Sequence, residues 1–403
     1  MQSAVPLLLG LRPQGVGLAV MIALWLCAGV WQSVTSKTAH AAHYGKTVRV
    51  SAKRAYPSLE EMVGQMIMIG FRGTGEEPVS DDLRDMLADI RMGRIGGVIL
   101  FDHDITDKNA RRNIRSLEQS KALIARLQAA APLPLFVAVD QEGGRVRRFK
   151  EAHGMPYTPS PQELGRRTPE ETFKDALHMG KILHSLGVNL NFAPSLDVNS
   201  NPLSPVIGAL GRSFSDNPLK VAAHALAFAR GLSKAGVLSC YKHFPGHGSA
   251  TDDTHIGLAN VSATWRKQEL EPYRIALASQ PPAMIMVGHV VLRQKSGSLP
   301  ASLSRNVING MLRRNLGWKG VVITDDLQMG AIAERYHTKE TIRLAISAGV
   351  DILLFGNNIK YNSKEGAVIH SIVMDMVRAG HIPPKRIEES YKRIMKLKTG
   401  LDT

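Results

Sequence analysis

Three short stretches of this chain place acids, bases and cations directly after apolar runs. Asp140-Gln141-Glu142-Gly143-Gly144-Arg145 follows one run, Lys242-His243-Phe244-Pro245-Gly246-His247-Gly248 a second, and Thr324-Asp325-Asp326 a third. A fourth group, Asp252, Asp253 and His255, comes shortly after the second. Two chemistries fit these residue types. A sugar acetal needs an acid for the leaving oxygen and a carboxylate to meet the oxocarbenium-like carbon. Asp325 is placed for the carboxylate role, and the acid is either a second carboxylate or a histidine. Asp253 two residues before His255 forms a carboxylate–imidazole pair, in which the acid orients the ring and stabilises its protonated form. Alternatively His243, His247, Asp253 and His255 act as ligands of a metal-dependent hydrolase. Against this, Pro245 prevents a helical His-x-x-x-His face.

Such groups need a scaffold that brings distant strand ends together. Eight apolar runs stand out: Met66–Phe71, Gly97–Phe101, Leu135–Asp140, Val188–Pro194, Val237–His243, Ala283–His289, Val321–Asp325 and Asp351–Gly356. Each has the length of a buried strand and lacks polar alternation, as expected for parallel strands covered on both faces. Amphipathic helices lie between them. Ser58 with Glu61 reads as a capping box, as does Thr168-Pro169 with Glu171, and Asn217-Pro218 starts another helix. Four junctions repeat helix, Gly, strand, at Gly187, Gly236, Gly320 and Gly349, each predicting a left-handed glycine at the helix end. Pro384–Leu397 reads as a closing helix. Eight β-then-α units predict an α/β fold, a single (β/α)8 TIM-type barrel, in which function collects at the C-terminal ends of the strands. The rival is an open doubly wound sheet, but no glycine-rich dinucleotide fingerprint follows the first strand.

The composition is that of an ordinary globular protein, 44% hydrophobic and 21% charged, with a net charge of +15. No basic stripe interleaved with aromatics accompanies that charge, so no nucleic-acid partner is expected. Among the first 41 residues only Arg12 and Lys37 are charged, and an apolar run extends from Val16 to Trp31. Ala39-His40-Ala41 supplies a small-x-small cleavage pattern. Residues 1–41 therefore read as a signal peptide or membrane anchor, residues 42–57 as a linker and 58–403 as the barrel domain. Export to the periplasm or outside the cell is expected, with membrane contact only through an uncleaved N-terminal segment. Cys27 lies in the apolar run, so cleavage leaves Cys240 without a disulfide partner.

The segment KHFPGHGSATDDTH at Lys242–His255 resembles the signature of glycoside hydrolase family 3, in its bacterial NagZ-type β-N-acetylhexosaminidase branch. DQEGGRVRRF at Asp140–Phe149, NFAPSLDVN at Asn191–Asn199, GRSFSDNP at Gly211–Pro218 and GVVITDDLQMGAI at Gly320–Ile332 agree with it, and the similarity runs from about Ser58 to Leu397. The resemblance implies a retaining exo-hydrolase that removes terminal β-linked N-acetylglucosamine from peptidoglycan fragments or chitin-like oligosaccharides. Asp325 would be the nucleophile, and His255 on a loop after the fifth strand the acid/base, with Asp253 as its partner. Asp140, Arg148, Arg212, Lys242 and His243 would bind the sugar. No metal or other cofactor is implied, and a monomer is expected.

Other residues have plainer readings. Asp326, Asp197 and His247 are read as bracing groups and Cys240 as packing, while His289 has no assigned role. One of the three arginines 145, 147 and 148 need face the site. The competing functions are the metal-dependent hydrolase, which a chelator would inhibit, and a non-catalytic glycan-binding barrel, which would hydrolyse nothing. Within the leading class, transfer to phosphate instead of water stays open, because a histidine tolerates an anionic acceptor that a carboxylate would repel.

Overall fold

In the computed structural model, residues 56–105, 112–279 and 283–401 are described. The apolar run Val16–Trp31, the Ala39–Ala41 motif and all but Tyr56 and Pro57 of the linker lie outside the described residues.

Each of the eight apolar runs forms a strand. They are β1 (Ile67–Gly70), β2 (Gly97–Ile99), β3 (Phe136–Val139), β4 (Leu190–Asn191), β5 (Leu238–Phe244), β6 (Met284–Val287), β7 (Val321–Thr324) and β8 (Leu353–Phe355). All pair in parallel, in the order β7-β6-β5-β4-β3-β2-β1-β8. A bridge between Ile323 and Ile352 brings β7 against β8, so the ring meets itself and the open-sheet rival fails. Every residue of β1, β3, β6 and β7 is buried, because neighbours cover both faces.

Apart from β5, which is shifted by one residue, the strands are shorter than the apolar runs, most of all β4. Buried asparagines take over its ladder. Asn191 Oδ1 accepts from Gln141 N at 3.0 Å while its Nδ2 donates to Gln141 O at 2.9 Å. Asn189 bonds Val137 N and Leu135 O in the same way, at 2.8 and 2.9 Å.

The helix starts are those the caps predict. Ser58 and Glu61 form the capping box of Leu59–Gln65, Thr168 and Glu171 that of Pro169–Ser185, and Asn217 caps Pro218–Lys234. Gly187, Gly236 and Gly349 carry φ values of 90°, 86° and 112°, in the left-handed region. Gly320 does not follow that grammar. The preceding π-helix, Asn306–Asn315, stops earlier, and Gly317 takes the positive φ of 73°. Gly320 is required for space instead: a Cβ there would lie 2.3 Å from the Trp318 ring. The closing helix runs over Pro384–Lys398 and packs on Leu59–Gln65.

Candidate active site

The C-terminal strand ends surround a cleft of about 270 Å³, lined by Asp140, Arg148, Arg212, Lys242, His243, His255 and Asp325 together with apolar walls from Phe101, Ile105, Val146 and Leu210. Seven of the eight residues singled out in the sequence thus face one space. The eighth, Asp253, stands behind His255.

Just past the end of β3, Asp140 and Glu142, two residues apart, reach the same partner. Between them sits Lys242, whose buried Nζ lies 2.8 Å from Asp140 Oδ1 and 2.7 Å from Glu142 Oε1. Burial opposes the lysine's charge, but Asp140 and Glu142 outweigh it and hold its pKa above the usual value. Glu142 is fully enclosed and grips Arg212 through two bonds, Nε to Oε2 at 3.0 Å and a second terminal nitrogen to Oε1 at 2.7 Å. Burial would raise its pKa; Arg212 and Lys242 overcome this and bring it down to about 2. Asp140 is likewise lowered, against its burial, by Lys242 and Arg148. Glu142 was not assigned a site role in the sequence, although its position two residues after Asp140, just past an apolar run, was a legible signal.

Of the three neighbouring arginines only Arg148 turns to the site, 3.3 Å from Asp140 and over the Phe101 ring. Arg147 pairs with Glu151, and Arg145 reaches the Ala209 carbonyl. Gln141 shapes this loop: its Oε1 accepts from Arg148 N and Phe149 N at 2.9 and 3.0 Å.

His243 is fixed from both sides. Its Nδ1 is 2.6 Å from Asp197 Oδ2, and its Nε2 is 3.1 Å from a guanidinium nitrogen of Arg212. Arginine can only donate, so Nε2 accepts and Nδ1 carries the proton toward Asp197. Asp197 also accepts from His247 N at 2.8 Å. Burial works against its charge, but His243 and these bonds hold its carboxyl far below the ordinary range. The bracing geometry expected of Asp197 is present.

After β5 the chain turns at Gly246 (φ 118°) and Gly248, where a Cβ would overlap the Val198 carbonyl at 1.7 Å. His247 faces inward, and its Nε2 reaches Thr254 Oγ1 at 3.2 Å. Burial lowers its pKa to about 4, which leaves it neutral. The next loop presents His255, half exposed, with Nδ1 2.7 Å from Asp253 Oδ1. The same oxygen accepts His255 N at 2.8 Å. The loop docks on the segment after β7, where Ala331 N and Gly330 N donate to the Thr254 and His255 carbonyls.

Asp325 ends β7, and its N–H is bonded to Val287 O on β6. Burial would push its carboxyl up, but His243, His289 and His255 nearby pull it below the usual value, so it is ionised at neutral pH. Asp326 turns away and caps the backbone: Oδ1 accepts from Gly356 N at 2.9 Å and Gln328 N at 3.0 Å. Burial, with the Asp325 charge beside it, raises it to about 6. His289, unassigned in the sequence, clamps this corner, with Nε2 2.8 Å from the Asp326 carbonyl and Nδ1 2.7 Å from Ser302 Oγ.

The proposed metal set does not assemble. Among the described residues no three His, Cys, Asp or Glu side chains converge as a metal ion requires. His243 is held by Asp197 and Arg212, His247 by Thr254 and His255 by Asp253.

Known proteins resemble this chain in sequence and fold. The profile of the glycosyl hydrolase family 3 N terminal domain matches residues 58–397. Beta-hexosaminidase A of Pseudoalteromonas piscicida is 35% identical over 371 residues, covering 85% of this chain and 61% of that protein. Beta-hexosaminidase LpqI of Mycobacterium tuberculosis is 34% identical over 351 residues, covering 85% and 83%. Among solved structures, a family 3 beta-N-acetylglucosaminidase from Paenibacillus superposes with a TM-score of 0.77 at 35% identity, over 86% of this chain and 63% of that one. LpqI of Mycobacterium tuberculosis does so with a TM-score of 0.72 at 32% identity, over 85% and 94%. The chain therefore spans less than two thirds of the Pseudoalteromonas and Paenibacillus proteins and most of LpqI. With a family match over nearly all the described residues and the strand-end charges gathered in one cleft, this chain belongs to glycosyl hydrolase family 3.

Proposed function

We propose that this glycoside hydrolase, of the β-hexosaminidase type, removes terminal β-linked N-acetylglucosamine from peptidoglycan fragments or chitin-like oligosaccharides with retention of configuration. The observation that carries the reading is the pairing, across one cleft, of an ionised strand-end carboxylate with a carboxylate-backed histidine. Asp325 attacks the anomeric carbon as the glycosidic bond breaks. Protonated His255 gives its Nε2 proton to the departing oxygen, while Asp253 stabilises the imidazolium through Nδ1–H. Neutral His255 then takes a proton from water as that water attacks the glycosyl–Asp325 ester, which restores both groups. A histidine suits this position because, once neutral, it does not repel the nearby carboxylate nucleophile. Asp140, Lys242, Arg148, Arg212 and His243 bind and orient the sugar, and Glu142 holds two of those cations in place.

The apolar run Val16–Trp31 and the Ala39–Ala41 motif support export, so the substrate would be met outside the cytosol. Among the described residues no helix is long and apolar enough to cross a membrane.

Purified protein assayed on a chromogenic β-N-acetylglucosaminide and on the matching β-glucoside tests this reading. Release from the acetamido sugar alone, unaffected by chelator, is expected. Acceleration by phosphate would reassign the acceptor. No release by well-folded protein would overturn the reading and leave a glycan-binding barrel.

A further inference from the structure

The turn that leads into the loop carrying His255 packs on a buried acid that the reaction scheme does not use. Glu269 lies in the short helical turn Lys267–Leu270 behind β5, with none of its surface exposed. Its carboxyl sits directly under the turn: a Cβ on Gly246 would be 2.9 Å from both Glu269 Cβ and Oε2. Oε1 has only the Arg266 N–H, at 3.4 Å, and Oε2 has no partner in hydrogen-bond geometry. Ser249 brings its hydroxyl and its backbone N–H toward the carboxyl, but Ser249 Oγ also stays outside that geometry. Tyr273 OH and His247 Nδ1, on the elements packed around it, are buried and unpartnered too.

A carboxylate cannot keep its charge in such surroundings at ordinary cost, whereas a carboxylic acid can donate its proton to a neighbouring oxygen. The groups facing Glu269 supply no compensating cation. Asp197 adds like charge, Tyr273 and His247 are neutral, and the Arg266 guanidinium is turned to the Ala263 and Trp265 carbonyls. A continuous path leads from this acid to the reacting groups. Glu269 meets Gly246 and Ser249, His247 of the same turn holds Thr254, and Thr254 lies between Asp253 and His255.

We propose that Glu269 is a positioning residue for the acid/base loop, seating the Gly246–Ser249 turn as a neutral carboxylic acid and releasing it when it ionises. Burial, with Asp197 adding to it, raises Glu269 to about 7, so release falls within the neutral range. With a folded value above the unfolded one, its contribution to stability is complete below the ordinary carboxylate range and is lost as pH rises through about 7.

This inference rests on the proposed role of His255 for its catalytic consequence, but the movement can be read without turnover. Trp265 Nε1 donates to the Pro245 carbonyl at 3.0 Å, so its fluorescence reports on this turn. The experiment follows the Trp265 emission of the full chain, isolated by difference from Trp265→Phe, and the pH profile of kcat/KM, in wild type and Glu269→Gln. Wild-type emission is expected to titrate with a midpoint near pH 7 and the Glu269→Gln signal to stay flat. The alkaline limb of kcat/KM, falling about tenfold per pH unit, should shift upward in Glu269→Gln. Flat wild-type emission, a titration that persists in Glu269→Gln, or an alkaline limb that does not move would each overturn the proposal. Inactive wild-type protein that still shows the emission change would count against the hexosaminidase reading alone.

Discussion

The two ends of the barrel each hold a buried ionic cluster, and they do opposite things. At the N-terminal end, Asp351 receives Arg313, Arg386 and Arg393 at 2.8, 3.2 and 3.0 Å, as well as Ser390 Oγ at 2.7 Å and Val322 N at 3.0 Å. Arg313 and Arg386 also donate to the backbone carbonyls of Gly320, Gly349, Ile346 and Val350, and Arg386 to Ser390 Oγ. That cluster ties the closing helix and the π-helix to β8. At the C-terminal end, Asp140, Glu142, Lys242 and Arg212 are as tightly paired, yet Asp140, Lys242 and Arg212 still line an open cleft. Burial and pairing therefore do not distinguish a site from a strut. Nor does an open edge, since Arg313, Arg386 and Arg393 also line a cavity; what does is that the C-terminal cleft holds Asp325 and His255 beside the paired groups, whereas no aspartate or histidine lines the cavity at the other end.

The strongest way to break this contrast is to remove one carboxylate from each end. Asp325→Ala should lower kcat/KM by roughly 10⁴-fold, because the proposed nucleophile is lost. Its melting temperature should stay close to that of the parent protein. Asp351→Ala should do the reverse, costing about 3–5 kcal/mol of stability because three arginines lose their common partner. The folded fraction should keep its kcat. Activity and thermal denaturation measured on both variants decide the matter, and a large loss of stability in Asp325→Ala would erase the distinction between the two ends.

A milder test lies within the cleft. Glu142→Gln leaves Lys242 with Asp140 but weakens the grip on Arg212, so kcat/KM should fall by roughly 10²-fold through misplacement of the proposed sugar-binding groups. Steady-state kinetics that match the parent protein would show that Glu142 only fills space. Acid should spare this network until far down the pH scale. Glu142 has a folded value of about 2, so its contribution is present above the ordinary carboxylate range and is lost as pH falls through about 2.

The smallest effect is expected at Asp326, the neighbour of the proposed nucleophile. Asn at this position keeps an oxygen for the Gly356 and Gln328 N–H groups, so Asp326→Asn should change kcat by less than about tenfold. Because Asp326 is raised to about 6, the stability it contributes is present below the ordinary carboxylate range and is lost as pH rises through about 6. Denaturation midpoints of Asp326→Asn should lack that slope, and a slope equal to the parent protein's would remove Asp326 as its source.

How legible these groups were depended on how local their causes are. Asp325, His255 and Lys242 stand at strand ends or just after them, and a strand end can be read from an apolar run followed by polar and glycine residues. The choice of Arg148 over Arg145 and Arg147 was not legible, because it depends on Gln141 pinning the loop backbone and on Phe101 offering a ring from another strand end. Gly320 misled because a glycine before a strand fits either of two causes, a left-handed helix end or close packing, and only the position of Trp318 separates them. His289 and Glu269 gave no local signal. Each acts through a partner on another element, His289 through the Asp326 carbonyl and Glu269 through the Gly246 turn.

The sequence by itself determined the eight buried strands, the capped helices between them and the end of the barrel where the candidate site would lie. Those are consequences of burial, turn chemistry and backbone hydrogen bonding over a few residues, which neighbouring side chains dictate. Only the tertiary structure decided which charges meet. Glu142 and Arg212 are separated by 70 positions, and Lys242 lies on a different strand from the two acids it joins. Ion pairs of that kind form only after the ring closes and removes them from water. Their partners, and the pKa values that follow from them, are properties of the closed barrel rather than of any one segment.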